Sequence, residues 1–151
     1  MARFIYKMQS ILDIKNKLET QAKIYFAAAN EKVKEEELKL VSLYDDISLY
    51  EREIVNLNKG RLNISELKRC INSIEIKKEQ IKLQMKEVNK AKKTLEIARL
   101  KLNEVMVERK THEKLRERAL EKFMEEEKLK EIKEIDELVS YQYSINDIIG
   151  E

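Results

Sequence analysis

Apolar and small residues recur along this chain at alternating spacings of three and four. In the first third they fall at Phe4, Met8, Ile11, Leu18, Ala22, Tyr25 and Ala29, with Lys15 in the one skipped place. Leu40, Leu43, Ile47, Tyr50, Ile54 and Leu57 carry the rhythm on without a break. A repeat averaging 3.5 residues is that of a left-handed coiled coil, in which one stripe of each helix faces its partner. The two runs join through Val33 with one extra four-residue step. Such a step predicts a stutter that locally unwinds the supercoil. The stretch from Glu31 to Lys39 is densely charged, so the seam there is thin and packing is expected to be weaker.

The rhythm stops at Asn56-Leu57-Asn58-Lys59-Gly60-Arg61-Leu62-Asn63. Gly60 is the only interior glycine, and glycine suits the left-handed conformation that ends many helices. Asn63 with Glu66 three residues on reads as a capping-box start for a second helix. That helix resumes the pattern at Leu67, Ile71, Ile74, Ile81, Met85, Val88, Leu95, Ala98, Leu102 and Val105, with Lys78 and Lys92 in seam places. Its seam then turns mixed through His112, Leu115 and Ala119. A short loop makes consecutive helices antiparallel neighbours. The predicted fold is all-α: one long antiparallel two-helix coiled-coil hairpin over residues 1–151, its second helix longer than its first. Helix one covers about 3–58, the turn about 59–63, helix two about 64–140, and a short tail 141–151. Folding about Gly60–Leu62 sets Phe4 opposite roughly Ala119, so helix two overhangs helix one. The overhang carries Phe123, Leu129, Ile132, Ile135 and Leu138. An apolar stripe without an internal partner is a candidate binding surface. A frayed helix end and a homodimer contact are the alternatives.

Composition narrows the fold further. The 151 residues include no proline and two glycines, and 40% are charged. Turns are built mainly from glycine, proline, asparagine and aspartate, so this chain makes few of them. Disorder suits a charged chain, but 42% apolar residues at regular spacing oppose it. The single cysteine, Cys70, excludes an internal disulfide and suits a reducing compartment. The longest apolar run, Ile24 to Ala29, is far short of the roughly 20 residues of a membrane span. The N-terminus lacks the apolar stretch and cleavage site of a secretory signal. These features lead us to expect a soluble, cytoplasmic protein that does not insert in a membrane. Charge is uneven: residues 61–118 hold 17 basic against 9 acidic groups, a net +8, and residues 119–151 hold 4 against 10, a net −6. Solvated helix faces account for this. A functional reading is that the two stretches meet different partners.

The chemistry of catalysis is missing. Two glycines cannot build a phosphate cradle. His112 is the only histidine and has no cysteine or second histidine near it in sequence, so no metal ligand set is expected. No base is indicated beside Cys70 to make it a nucleophile. Carboxylates such as Glu125, Glu126 and Glu127 are helix-surface groups, and a two-helix rod offers no concave pocket to raise their pKa. The chain is expected to be no enzyme and to hold no cofactor. The basic stretch is interleaved with Glu75, Glu79 and Glu87, and no aromatic residue lies between Tyr50 and Phe123. Continuous basic regions and stacking aromatics are what nucleic acids require, so no nucleic acid is expected as partner.

The two ends of the chain carry a resemblance. Met1-Ala2-Arg3-Phe4-Ile5-Tyr6-Lys7-Met8, followed by Ile11-Leu12 and Lys15, resembles the opening of the FliJ family of flagellar export proteins. There, an aromatic–x–aromatic–x–apolar pattern precedes a Leu-rich turn and a basic residue. Glu108 to Leu138, with Asp136-Glu137 near its end, is similar to the family's basic-acidic block. Length, the single central turn and the longer second helix fit as well. The resemblance implies a cytoplasmic, non-enzymatic part of the type III export apparatus of motile bacteria, held at the membrane's inner face through that apparatus. It implies a stalk-like hairpin that binds the hexameric export ATPase and promotes its assembly and activity. Two further partners are implied: the export gate, and the chaperones of late substrates. On this resemblance Phe4, Tyr6, Met8, Arg109, Lys110, Glu113, Arg116, Glu117 and Phe123 face the ATPase. Cys70, Ile74, Lys77 and Ile81 meet the gate, although some relatives carry an aromatic at the place of Cys70 and a small residue at that of Lys77. A generic coiled-coil adaptor or chaperone has the same physics, as does the equivalent stalk protein of an injection-type secretion system.

Overall fold

A computed structural model describes residues 2–61 and 63–150, so the turn residue Leu62 lies outside the described residues, with Met1 and Glu151. Two long helices pack against each other, α1 over Gln9–Asn58 and α2 over Ile64–Ile149, 50 and 86 residues long. No strand occurs among the described residues. The chain divides into two compact units, where the sequence suggested one domain. A terminal unit comprises Met1–Glu19 and Val105–Glu151, and a turn unit comprises Thr20–Glu104.

Both helices depart from the expected bounds for local reasons. Helix one was expected from residue 3, but residues 2–6 are non-helical and α1 opens through a turn at Lys7 and Met8. The Gln9 amide donates to the Tyr6 carbonyl at 3.2 Å, and the Ile11 and Leu12 amides donate to the Met8 carbonyl at 3.1 and 3.2 Å. Phe4, Ile5 and Tyr6 are modest helix formers, and α1 has no acidic residue in its first turn to favour an earlier start. Helix two was expected to end near residue 140, yet it runs to Ile149 because nothing before Gly150 breaks it. There the Gly150 amide closes on the Asn146 carbonyl at 2.7 Å.

The turn unit pairs the two helices antiparallel around a heptad seam. On α1 the covered places are Ala22, Phe26, Ala29, Val33, Glu36, Leu40, Leu43, Ile47, Tyr50, Ile54 and Leu57. Their spacing alternates four and three throughout, so the predicted stutter at Val33 is absent. The reason is a one-residue difference in phase: Phe26 takes the place expected for Tyr25, which is 55% exposed, and Glu36 fills the place between Val33 and Leu40. On α2 the covered places are Leu67, Cys70, Ile74, Lys77, Ile81, Gln84, Val88, Ala91, Leu95, Ala98 and Leu102. Cys70, Lys77, Gln84 and Ala91 thus replace the expected Ile71, Lys78, Met85 and Lys92. Ile71 and Met85 stay exposed.

The charged stretch of α1 is held by a specific network. Glu36 is buried in the seam. Lys32 Nζ sits 2.9 Å from its Oε1 and Lys39 Nζ 3.4 Å from the same oxygen. From α2, Gln84 Nε2 donates to Glu36 Oε2 at 2.5 Å and to the Glu36 backbone carbonyl at 2.9 Å. A carboxylate withdrawn from water needs such donors, because an unpaired buried charge is costly. The Lys32 ammonium and then the Gln84 amide hold the Glu36 carboxyl down at about 2. Asp46 with Lys77 at 3.1 Å and Glu53 with Arg69 at 3.5 Å also bridge the helices in this unit.

At the turn, the Lys59 amide donates to the Asn56 carbonyl at 3.2 Å. Gly60 does not adopt the left-handed conformation expected of it, since no described glycine has positive φ. A Cβ added there would meet nothing within 4 Å. The Asn63 cap is present: its Oδ1 accepts from the Glu66 amide at 3.4 Å, and its carbonyl accepts from the Leu67 amide at 3.1 Å.

Two measurements check this account. Gly60→Ala meets neither a clash nor a strained backbone and removes freedom from the unfolded chain, so it raises stability by about 0.4–1 kcal/mol. A fall in the urea midpoint of that variant would show that the turn needs glycine after all. Glu36 holds its proton less tightly folded than unfolded, so its contribution is complete above pH about 4.5 and is lost as pH falls towards about 2. Glu36→Gln therefore melts at a lower temperature than the parent at pH 7, and the gap closes on titration to pH about 2. Circular dichroism melts across that range read both outcomes, and a gap that stays constant would contradict the ion-pair account.

Candidate partner-binding surface at the paired ends

The terminal unit brings together the residues that resemblance assigns to the ATPase. Its seam uses Leu12, Lys15 and Glu19 on α1 against Val105, Arg109, His112, Arg116, Ala119 and Phe123 on α2. The expected seam residues Leu18 and Leu115 are exposed instead, and Glu19 and Arg116 take their places. Glu19 is buried, and its carboxylate makes an ion pair with Arg109 Nε. Arg109 Nη1 donates to Glu113 Oε2 at 2.7 Å. Glu113 first, with Glu19 beside it, raises the Arg109 pKa, so the guanidinium is charged at every relevant pH. Lys15 Nζ lies 2.9 Å from Glu108 Oε2, a second bridge between the helices. His112 sits half-buried in the same seam, and its Nδ1 is buried without a hydrogen-bond partner among the described residues.

An aromatic clip closes this arrangement. The Phe4 ring meets the Phe123 ring at 5.4 Å between centroids, tilted by 53°. Arg116 lies over the Phe4 ring at 5.8 Å and its Nε donates to Gln9 Oε1 at 3.0 Å. Tilted ring pairs and a guanidinium over a ring face are favoured by the ring quadrupole. Phe4 was expected opposite Ala119, one turn earlier on α2. The non-helical arm explains the difference, because extended chain advances about 3.3 Å per residue where a helix advances about 1.5 Å. Of the other residues expected to face a partner, Tyr6 is half-buried, whereas Met8, Lys110 and Glu117 are exposed.

Beyond Phe123 the apolar face changes sides. Continuing the seam spacing lands on Glu126, Lys130, Lys133, Glu137, Ser140, Ser144 and Asp147, all polar. Most of the exposed apolar residues here, Met124, Ile132, Ile135, Leu138, Val139 and Ile149, lie instead on the roughly opposite side of the helix, about 100° per residue separating successive positions, whereas Leu129, Tyr141 and Ile148 flank the seam side. Phe123 was expected in this unpartnered stripe, but the clip with Phe4 covers it. The stripe is no continuation of the seam.

The residues assigned to the gate lie in the turn unit and face inward. Cys70 is 0% exposed and Ile81 is buried, Ile74 is half-buried, and Lys77 is engaged with Asp46. Burial and then the neighbouring Glu53 push the Cys70 thiol up, which makes it a poor nucleophile. The accessible neighbour of this seam is an open groove of about 560 Å³ in which Tyr44 and Met85 stand exposed between Glu51, Lys78 and Lys82. Glu19 and Gln9 went unnoticed in the sequence. The available signal was a heptad that stays unbroken only if it passes through Glu19.

Among the described residues no group of three or more His, Cys, Asp or Glu could hold a metal ion, and no helix is long and apolar enough to cross a membrane. No curated protein and no solved structure matches the chain. A family model described as Flagellar FliJ protein matches residues 4–146, from the Phe4 clip to the exposed end of α2. With nearly the whole chain so matched, the protein belongs to the FliJ family and has a role in flagellar protein export.

Proposed function

We propose that this protein is a non-enzymatic, stalk-like component of the export apparatus, and that its terminal unit docks on the hexameric export ATPase and favours the assembled, active ring. The observation that carries this reading is the clip of Phe4, Phe123 and Arg116 together with an exposed apolar stripe on the other side of α2 in the same unit. Aromatic and arginine anchors with adjoining apolar surface are what protein interfaces concentrate. Met8, Lys110 and Glu117 are further exposed residues of the terminal unit, Tyr6 is half-buried, and Arg109, in its seam, pairs with Glu113. Hydrolysis belongs to the partner. The protein works in the cytoplasm, held at the membrane's inner face through the apparatus, and chaperones of late substrates are its further partners.

The gate contact maps onto the turn unit. Since Cys70, Ile74, Lys77 and Ile81 face α1, the gate meets the groove beside them through Tyr44, Met85 and the lysines Lys78 and Lys82. A groove between two helices accepts an apolar side chain or a third helix.

Stimulation of the export ATPase of the same organism tests the first claim. The native chain raises hydrolysis and hexamer formation, and Phe4→Ala with Phe123→Ala removes most of that effect while circular dichroism shows the helices intact. Each truncated anchor is worth about 2 kcal/mol or more at a hot spot, so the two together weaken binding at least about a hundredfold. A competent ATPase that neither binds nor responds to the native chain would leave a coiled-coil adaptor with another client.

A further inference from the structure

We infer that the pairing of α1 with α2 in the terminal unit opens as a separate, salt-sensitive step while the turn unit stays paired. This goes beyond the ATPase reading and stands or falls without it. The two seams differ in kind. In the terminal unit Lys15, Glu19, Arg109, His112 and Arg116 make up five of nine seam places. In the turn unit only Glu36, Lys77 and Gln84 are polar among twenty-two. The buried apolar side chains are Ala29, Val33, Cys70, Ile81, Val88, Ala91 and Ala98 in the turn unit, and Leu12 and Val105 in the terminal one.

Apolar burial scales with area and is lost on any separation, whereas ion pairs exchange one set of polar partners for water and net little. The terminal seam is therefore closed by its few apolar contacts and the Phe4–Phe123 clip, with charges that are nearly as well placed in water. The buried and unpartnered His112 Nδ1 regains a partner on opening. Once detached, the eleven residues from Gln9 to Glu19 have no acidic first turn to steady them. A helix end of that length is marginal in water, so separation and unwinding of this end of α1 are one event. It uncovers Val105, Ala119 and Phe123 on α2, a face the closed form hides.

Hydrogen exchange on the full chain, followed by mass spectrometry in low salt and in about 1 M NaCl, reads this directly. Amides of residues 12–19 exchange at least about tenfold faster than those of residues 40–54, and added salt speeds the former a few-fold and the latter, whose ion pairs flank an apolar seam, by less. Equal rates in the two stretches, or an equal response to salt, would overturn the proposal. Glu19→Leu with Arg109→Leu replaces charge by apolar volume and slows exchange of residues 12–19 without changing residues 40–54. Phe123→Ala does the reverse to residues 12–19. If neither substitution moves that stretch relative to the other, its exchange is generic fraying of a helix end and the inference fails.

Discussion

A carboxylate in the seam of a two-helix coiled coil has few places from which to draw donors, and Glu19 and Glu36 both sit there. Each solves the problem differently. Glu36 takes two lysines from its own helix, three and four residues away, and one amide from the facing helix. Glu19 takes a guanidinium from the facing helix, itself shared with Glu113. These donors fix which residues of α2 lie opposite which of α1. A one-residue shift of either helix would carry Gln84 from Glu36, or Arg109 from Glu19, and leave a buried charge unanswered. Register follows strongly from the polar members of the seam, because leucine and isoleucine can exchange places at modest cost whereas an unanswered buried charge cannot be tolerated cheaply.

That is also why the sequence was legible in its architecture and not in its phase. The helical periodicity, the single reversal near Gly60 and the Asn63 cap are local signals, and each is visible in a few residues. Phase is a pairwise property. Leu18 beside Glu19, Tyr25 beside Phe26, and Met85 beside Gln84 each offer two adjacent candidates; hydrophobicity favours Leu18 and Met85, and both members of the aromatic pair suit a seam. The structure selects Glu19, Phe26 and Gln84, since only that choice keeps one heptad running through each unit. Gly60 failed as a signal for another reason: glycine permits a left-handed turn without requiring one.

The candidate site was legible in part for the same reason. Phe4, Arg116 and Phe123 were named through the family resemblance at the chain ends. Their mutual contact depends on an arm that leaves the helix before Gln9, which no periodicity reveals. Cys70, Ile74, Lys77 and Ile81 were named as a surface and prove to be seam, because positions one residue apart on a helix point about 100° apart. The apolar stripe after Phe123 shows the converse. Its residues looked like a seam left without a partner, whereas the true seam positions there are charged or hydroxylic, Ile132, Ile135 and Leu138 lie on the other side, and Leu129 flanks the seam.

A helix that changes its apolar side after Phe123 has different faces for α1 and for whatever meets Met124 to Ile149. Had the stripe continued the seam, any partner would compete with α1 for the same surface. With the faces separate, a partner can engage the exposed stripe while the clip remains closed. The polar seam behind the clip then acquires a purpose that stability alone does not supply. An apolar seam would hold the paired ends shut at all times, whereas charges that are satisfied both inside and in water leave opening inexpensive. The turn unit, closed by alanine, valine and isoleucine, has no such freedom and keeps its groove beside Tyr44 and Met85 in one shape. A pairing that stays shut at one unit and opens at the other would follow from which residues occupy the seam, not from any difference in fold.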